Sequence, residues 1–293
     1  MMPLPNRWLT ACYTKFNGSG LLIDCGEGTQ IAMRQAGLSF HDIDVIAITH
    51  FHGDHISGIT GLLLSMGNSD RVDPVTVIGP AGIKKVVDCL RIIAPELPFD
   101  LEFVEIGGRE GSLDINGYTL EYYRLNHNVT CYGYSQVIRR AGRFDPEKAA
   151  KNKVPMAVWS RLQKNETAEL DGVVYTRDMI LGPERKGLRL TYCTDTRPVP
   201  IIAEHAKDAD LFICEGMYGE EDMEKKAAKH KHMTFYEAAE IAKAAGAREL
   251  WLTHFSPSLV RPIDYLDNAR KIFDRTYIPK DGWKKTLMFE DMT

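Results

Sequence analysis

Three histidines and one aspartate fall within six residues in His50-Phe51-His52-Gly53-Asp54-His55. Imidazoles and carboxylates at this density are the donors of a Zn²⁺ or similar transition-metal site, and with no all-cysteine cage nearby the indicated chemistry is catalytic rather than structural. The preceding Val45-Ile46-Ala47-Ile48 reads as a buried strand. On its extended continuation His50 and His52 point the same way and form one ligand pair. Ile56, Ile59, Leu63 and Met66 recur at helical spacing, so Asp54 and His55 stand where a helix begins and turn toward a second metal position.

Such a cluster needs further ligands, and the elements around it indicate which. A lone histidine is more often a satisfied polar group than a ligand. His127, Asp195 and His254, however, each follow a strand-like run, and strand ends at one edge of an α/β layered domain converge on a site. Two metals bridged by a carboxylate and a hydroxide would bring the pKa of water near neutrality and clamp both oxygens of a phosphodiester displacement, which makes hydrolysis the natural reaction class. The departing oxygen then needs an acid, and Glu215, at a strand end, with His232, just before a helix from Thr234 to Ala245, is the available carboxylate–histidine pair. His41 and His205 read as surface residues, and His230 as part of a polar loop.

The rest of the chain alternates strand and helix. Strands are predicted at Gly20 to Ile23, Val75 to Ile78, Leu101 to Ile106, Tyr132 to Ile138, Leu188 to Cys193, Leu211 to Cys214, Leu250 to Thr253 and, closing the chain, Thr286 to Glu290. Helices are predicted up to Gln35, over Ile83 to Ala94 and near Pro262 to Phe273, with a hairpin turning at Asn116-Gly117. Phe144 to Asn165 breaks this alternation as one or two short helices and looks inserted. Here the net charge of −4 conceals an asymmetry. Arg139, Arg140, Arg143, Lys148, Lys151, Lys153, Arg161 and Lys164 face only Asp145 and Glu147, a local balance of +6 against −10 elsewhere. A solvated surface helix and a phosphate-binding arm both fit such a run. With 44 % apolar residues the chain has material for a sizeable core, and it contains no apolar run approaching the roughly 18 residues a membrane span needs. A cytoplasmic enzyme with no membrane association is expected, and its six scattered cysteines read as reduced, mostly buried thiols.

The histidine motif with His127, Asp195 and His254 resembles the metallo-β-lactamase fold, an αββα four-layer sandwich with a dinuclear zinc site at one edge. Within that fold the chain is similar to ribonuclease Z, which trims the 3′ trailer from precursor tRNA. The similar stretches are Leu22 to Gln30, the histidine motif through Leu63, Asn126-His127 with Cys131 to Tyr134, Gly182-Pro183 to Gly187, Asp195-Thr196-Arg197, and His232-Met233-Thr234 to Ala239. The resemblance implies two Zn²⁺, or another divalent transition metal, per subunit. One is held by His50, His52 and His127, the other by Asp54, His55 and His254, and Asp195 lies between them. It implies Asp54, Glu215 and His232 as catalytic residues, and a metal-hydroxide attack on the phosphodiester. It also implies a homodimer whose inserted arm, about residues 139–187, grips precursor tRNA. Three departures stand out: the chain begins at Met1-Met2-Pro3, where the family has a further first strand; Val154 to Trp159 replaces a Gly-Pro-rich arm tip; and Met233 stands where Ser is common. A small-molecule phosphodiesterase or arylsulfatase-like hydrolase, or a non-catalytic RNA-binding homologue, are the alternatives on the same fold.

Overall fold

In this computed structural model residues 2–5, 7–164, 166–220 and 222–290 are described; Met1 and Asn6 in the opening loop, and Asn165 at the end of the expected insert, lie outside the described residues. Asn17 and Gly18, at φ 48° and 88°, turn β1 (Cys12–Phe16) back on β2 (Ser19–Ile23) as a two-residue hairpin. The predicted strands begin only at β2. The hairpin corrects this, and its signal is an ordinary one: Asn-Gly between two apolar-polar runs. The chain continues through α1 (Thr29–Gln35), β3 (Ile43–Ala47), α2 (Gly53–Ile56), α3 (Ile59–Gly67), β4 (Val75–Pro80), α4 (Ile83–Leu90) and β5 (Leu101–Ile106), and the five strands pair in chain order. β2 to β5 are parallel, and crossovers between parallel strands put helices on a face. There Leu22, Ile46 and Val77 pack with Met33, Leu62, Leu63 and Val87.

The second sheet begins with β6 (Glu110–Ile115) and β7 (Tyr118–Arg124), turning at Asn116-Gly117 as predicted, followed by β8 (Tyr132–Arg140). After α5 (Pro146–Lys151), α6 (Met156–Lys164), β9 (Thr167–Leu170) and β10 (Val173–Thr176), the chain returns as β11 (Arg185–Cys193). It then runs through α7 (Pro200–His205), β12 (Leu211–Glu215), α8 (Glu224–His230), α9 (Phe235–Ala245), β13 (Leu250–Thr253), α10 (Leu266–Arg270) and β14 (Thr276–Tyr277). The strand order is β14-β13-β12-β11-β8-β7-β6, with β11 to β14 parallel. Phe212, Leu250 and Leu252 pack under Ile202, Phe235, Ala238 and Ala242. The sheets meet through their other faces, where Tyr134 Oη donates to the Ile48 carbonyl at 2.8 Å. Helix, sheet, sheet and helix make the αββα sandwich. All six cysteines are free, and four are buried.

The chain forms two compact units, Met1–Val137 with Arg189–Leu287, and Ile138–Leu188 with Met288–Thr293. The smaller one has a core of its own, built from Ala149, Val154, Val158, Leu162, Ala168 and Ile180. Val154 to Trp159 therefore supplies packing: Val154 and Val158 are buried, and the Trp159 indole donates to the Val154 carbonyl at 2.9 Å. The hairpin of β9 and β10, turning at Asp171-Gly172 with φ 53° and 76°, is not among the predicted elements. The strand expected over Thr286 to Glu290 does not form. Its residues are used otherwise: Phe289 lies under the Arg140 guanidinium at 4.3 Å, and Glu290 pairs with Lys186 at 2.7 Å.

Candidate metal centre

Strand ends deliver the donors. Asp24 directly follows β2, His50 stands just beyond β3, Asp195 and His254 just beyond β11 and β13, and Glu215 closes β12. These are the C-terminal ends of parallel strands in both sheets. Asp24, Asp195 and His254 have φ of 61°, 51° and 58°, a region that a β-carbon disfavours and that a protein keeps where a side chain must be re-aimed.

Two donor groups result. His50 Nε2 is 3.0 Å from His52 Nδ1, itself 3.3 Å from His127 Nε2. His55 Nε2 is 3.3 Å from His254 Nε2, and Asp54 Oδ2 lies 3.6 and 3.4 Å from these two. Asp195 faces both groups: Oδ2 is 3.6 Å from His50 Nε2 and from His127 Nε2, while Oδ1 is 3.3 and 3.1 Å from His55 and His254 Nε2. Each carboxylate oxygen thus belongs to one group. All seven residues singled out as ligands in the sequence come together.

The donor set fits divalent cations. Imidazole nitrogens 3.0 to 3.3 Å apart must share either a proton or a cation, and a bound cation would satisfy several of them at once. Burial, reinforced by the neighbouring His55, pushes His50 down to about 2, and burial pushes His127 down to about 4, so both are neutral imidazoles at pH 7, the form a metal would bind. Against its burial, Asp195 is held well below the usual carboxylate range by His254 and His55. His55 runs the other way: burial would lower it, but Asp195 and Asp24 hold a proton on it. That proton sits among carboxylates where a divalent cation would take its place.

Three of the nitrogens facing away from the donor groups are also fixed. His55 Nδ1 donates to Asp24 Oδ2 at 2.8 Å, and His50 Nδ1 lies 3.0 Å from Thr49 Oγ1, which donates to the same carboxylate at 2.9 and 3.0 Å. Asp24 therefore orients one histidine directly and another through Thr49, the support that metal-site histidines characteristically have. His127 Nδ1 donates to the Lys231 carbonyl at 3.3 Å. Sequence reasoning assigns Asp24 no role, although it closes a strand as Asp195 does.

Beside these groups, Glu215 Oε2 accepts from His232 Nδ1 at 2.9 Å. Burial alone would lower His232, but Glu215 outweighs it and raises its pKa. The His232 ring lies 5.4 and 5.7 Å from those of His127 and His254, so the pair borders both donor groups. A donor atom of His232 also lies within 4.8 Å of donors on Asp195 and His254, which makes the ring available as a ligand as well as an acid.

His41 is exposed as expected, but His205 is not a surface residue. It is half-buried, stacked on Tyr123 with 4.3 Å between ring centres, and its Nδ1 is 3.0 Å from Glu121, because the end of α7 packs on β7. Of the eight basic residues expected to bind RNA, Arg139, Arg143, Lys151, Lys153, Arg161 and Lys164 are exposed. Arg140 and Lys148 are half-buried and serve the smaller unit itself: Arg140 covers Phe289, and Lys148 Nζ donates to the Leu181 carbonyl at 2.7 Å.

An αββα sandwich whose strand ends carry paired histidine and aspartate groups defines a class, the metal-dependent hydrolases of the metallo-β-lactamase fold. Residues 179–255 match the family model described as beta-lactamase superfamily domain, and residues 6–91 match that described as anti-Pycsar protein Apyc1. The chain is 60 % identical to the ribonuclease Z of Lachnoclostridium phytofermentans, over 99 % of this chain and 95 % of the relative, and 57 % identical to that of Agathobacter rectalis, over 99 % and 96 %. Among solved structures it is similar to human tRNase Z, short form, with a TM-score of 0.68, 22 % identity and coverage of 97 % and 94 %, a likeness of fold. The chain belongs to the ribonuclease Z family, and so to the metal-dependent endonucleases that hydrolyse phosphodiester bonds.

Proposed function

We propose that this chain removes the 3′ trailer from precursor tRNA, leaving a 3′-hydroxyl on the tRNA, with two Zn²⁺ held by the two donor groups. Supporting it are full-length likeness to ribonuclease Z at 60 % identity and, as the observation that carries the chemistry, the Glu215–His232 pair set beside two groups that share Asp195. Bound divalent ions supply a nucleophile at neutral pH and neutralise charge on the phosphodiester oxygens. The chain's own residues do the rest. His50, His52 and His127 form one ligand set, Asp54, His55 and His254 the other, and Asp195 offers one oxygen to each. Asp54 keeps its carboxylate ionised within that second set, against burial, through its hydrogen bond with His254. His232, with Nδ1 committed to Glu215, presents Nε2 to the departing O3′ and delivers its proton as the phosphorus–O3′ bond breaks and a water oxygen bonds to phosphorus. Glu215 stabilises the imidazolium before transfer.

The exposed cations of the 138–188 unit are read as contacts to tRNA phosphates, recognising charge and shape rather than sequence. A homodimer working in the cytoplasm completes the proposal. Among the described residues no helix is long and apolar enough to cross a membrane. The test incubates zinc-loaded protein with a trailer-bearing precursor tRNA beside a chromogenic phosphodiester. Cleavage at the trailer junction is expected, and turnover of the ester without cleavage of the RNA would refute the substrate assignment.

A further inference from the structure

The segment that follows the shared aspartate holds both members of the proton pair. Thr196 N donates to Glu215 Oε1 at 2.5 Å, so that Glu215 offers its other oxygen to His232. Arg197 Nη1 donates to the His232 carbonyl at 2.6 Å and to Glu237 Oε2 at 3.0 Å, while Nη2 donates to Glu237 Oε1. Glu237 also accepts from Thr234 N at 2.9 Å and Thr234 Oγ1 at 3.0 Å, in the capping box that starts α9 two residues after His232. A capping box needs only Thr234 and Glu237. The guanidinium is an addition, and it ties the cap to the backbone of the acid. The same segment is anchored on its other side: Arg197 N donates to the Asn126 carbonyl at 3.1 Å, and Thr196 Oγ1 accepts from Asn126 N at 3.0 Å, next to His127.

A bidentate arginine–carboxylate pair fixes a plane as well as a distance. Both partners here are largely buried, with side-chain exposures of 18 % and 8 %, so the pair is screened little by solvent. Without it, the His232 carbonyl loses its donor, and the linker between α8 and α9 relies on bonds at neighbouring residues, such as Met217 N to the Met233 carbonyl at 3.0 Å and His127 Nδ1 to the Lys231 carbonyl at 3.3 Å. The ring would keep its bond to Glu215 yet lose a fixed distance from Asp195, and misplacement by about 1 Å costs roughly 10²-fold in a positioned reaction.

We propose that Arg197, locked by Glu237, is a positioning residue for the His232 acid. The proposal rests on the phosphodiesterase reading above. It assigns to Arg197 a role in leaving-group protonation rather than in metal binding or RNA affinity.

The test compares precursor tRNA, whose departing O3′ needs a proton, with bis(p-nitrophenyl) phosphate, whose p-nitrophenolate does not, in single-turnover assays with metal content measured on each variant. Arg197→Met is expected to slow RNA cleavage by about 10²-fold, the low end of what a positioned acid contributes, while the activated ester loses several-fold or less and bound metal and RNA affinity stay as in the parent. Arg197→Lys, which retains a donor for the carbonyl, should recover part of the loss, and Glu237→Gln should fall between it and Arg197→Met. Combined with His232→Ala, Arg197→Met should add little, because both remove the same contribution. Equal losses on both substrates, loss of metal, or additivity with His232→Ala would overturn the proposal. Failure of the underlying reading has a separate signature: the parent protein would not cut the RNA, or His232→Ala would show no dependence on the leaving group.

Discussion

The metal centre and the 138–188 unit both concentrate charge, and they do it in opposite ways. At the centre His50, His55, Asp54, Asp195 and His254 are buried, the donor atoms within each group lie within 4.8 Å of one another, and the outward nitrogens of His50, His55 and His127 have partners. In the smaller unit six of the eight cations stand exposed on two short helices and their flanks, and the two that are half-buried hold the unit together. Bond-breaking chemistry needs donors placed to a fraction of an ångström, which only burial and a supporting layer provide. Attraction to a phosphate backbone needs a field, which long, hydrated side chains supply without fixed positions. One region must be built, the other only decorated.

Substitutions can break or sharpen that contrast, beginning with the largest effect. His52→Ala removes a donor that nothing can replace, and should abolish hydrolysis of both precursor tRNA and the chromogenic ester; survival of either activity would show that the donor groups are not a unit. Asp24→Asn tests the supporting layer: with His55 and, through Thr49, His50 no longer aimed, metal affinity in a chelator competition should fall roughly 10- to 100-fold. Unchanged affinity would mean that packing alone aims these rings. Replacing Lys151, Lys153, Arg161 and Lys164 together by Ala should act on tRNA alone, lowering the slope of log affinity against log salt by about 0.7 to 0.9 for each phosphate that the protein no longer neutralises. A comparable loss on the small ester would place these cations in the chemistry instead. Lys148→Met should be the mildest, costing about 1 kcal/mol of stability in thermal melts for its bond to Leu181 while leaving the salt slope in place. A change in that slope would return Lys148 to the RNA-binding surface.

Much of the framework is legible in the sequence. β5 and β13 fall where periodicity puts them, and the turn at Asn116-Gly117 and the Thr234 start of α9 follow from local chemistry. The errors share a cause. The closing strand over Thr286 to Glu290 and the surface placement of His205 follow from local composition, but Phe289 finds a guanidinium and His205 finds Glu121, each supplied by a distant part of the chain. The β1–β2 and β9–β10 hairpins differ from these, since Asn17-Gly18 and Asp171-Gly172 are local signals open to reading from the sequence.

The sequence by itself determined the chemical inventory: a set of metal-ligating residue types placed near predicted strand ends and helix starts, and a local excess of positive charge in one insert. Residue type and periodicity are local properties, so they can be read without a fold. Only the tertiary structure decided the pairings. That Asp195 turns one oxygen to each donor group, that Asp24 supports His55 and His50, that Arg197 reaches the carbonyl of His232 and that Asp54 meets His254 depend on contacts between residues up to 200 positions apart. Such contacts arise only when two sheets bring their strand ends to one edge, and no spacing along the chain encodes their distances.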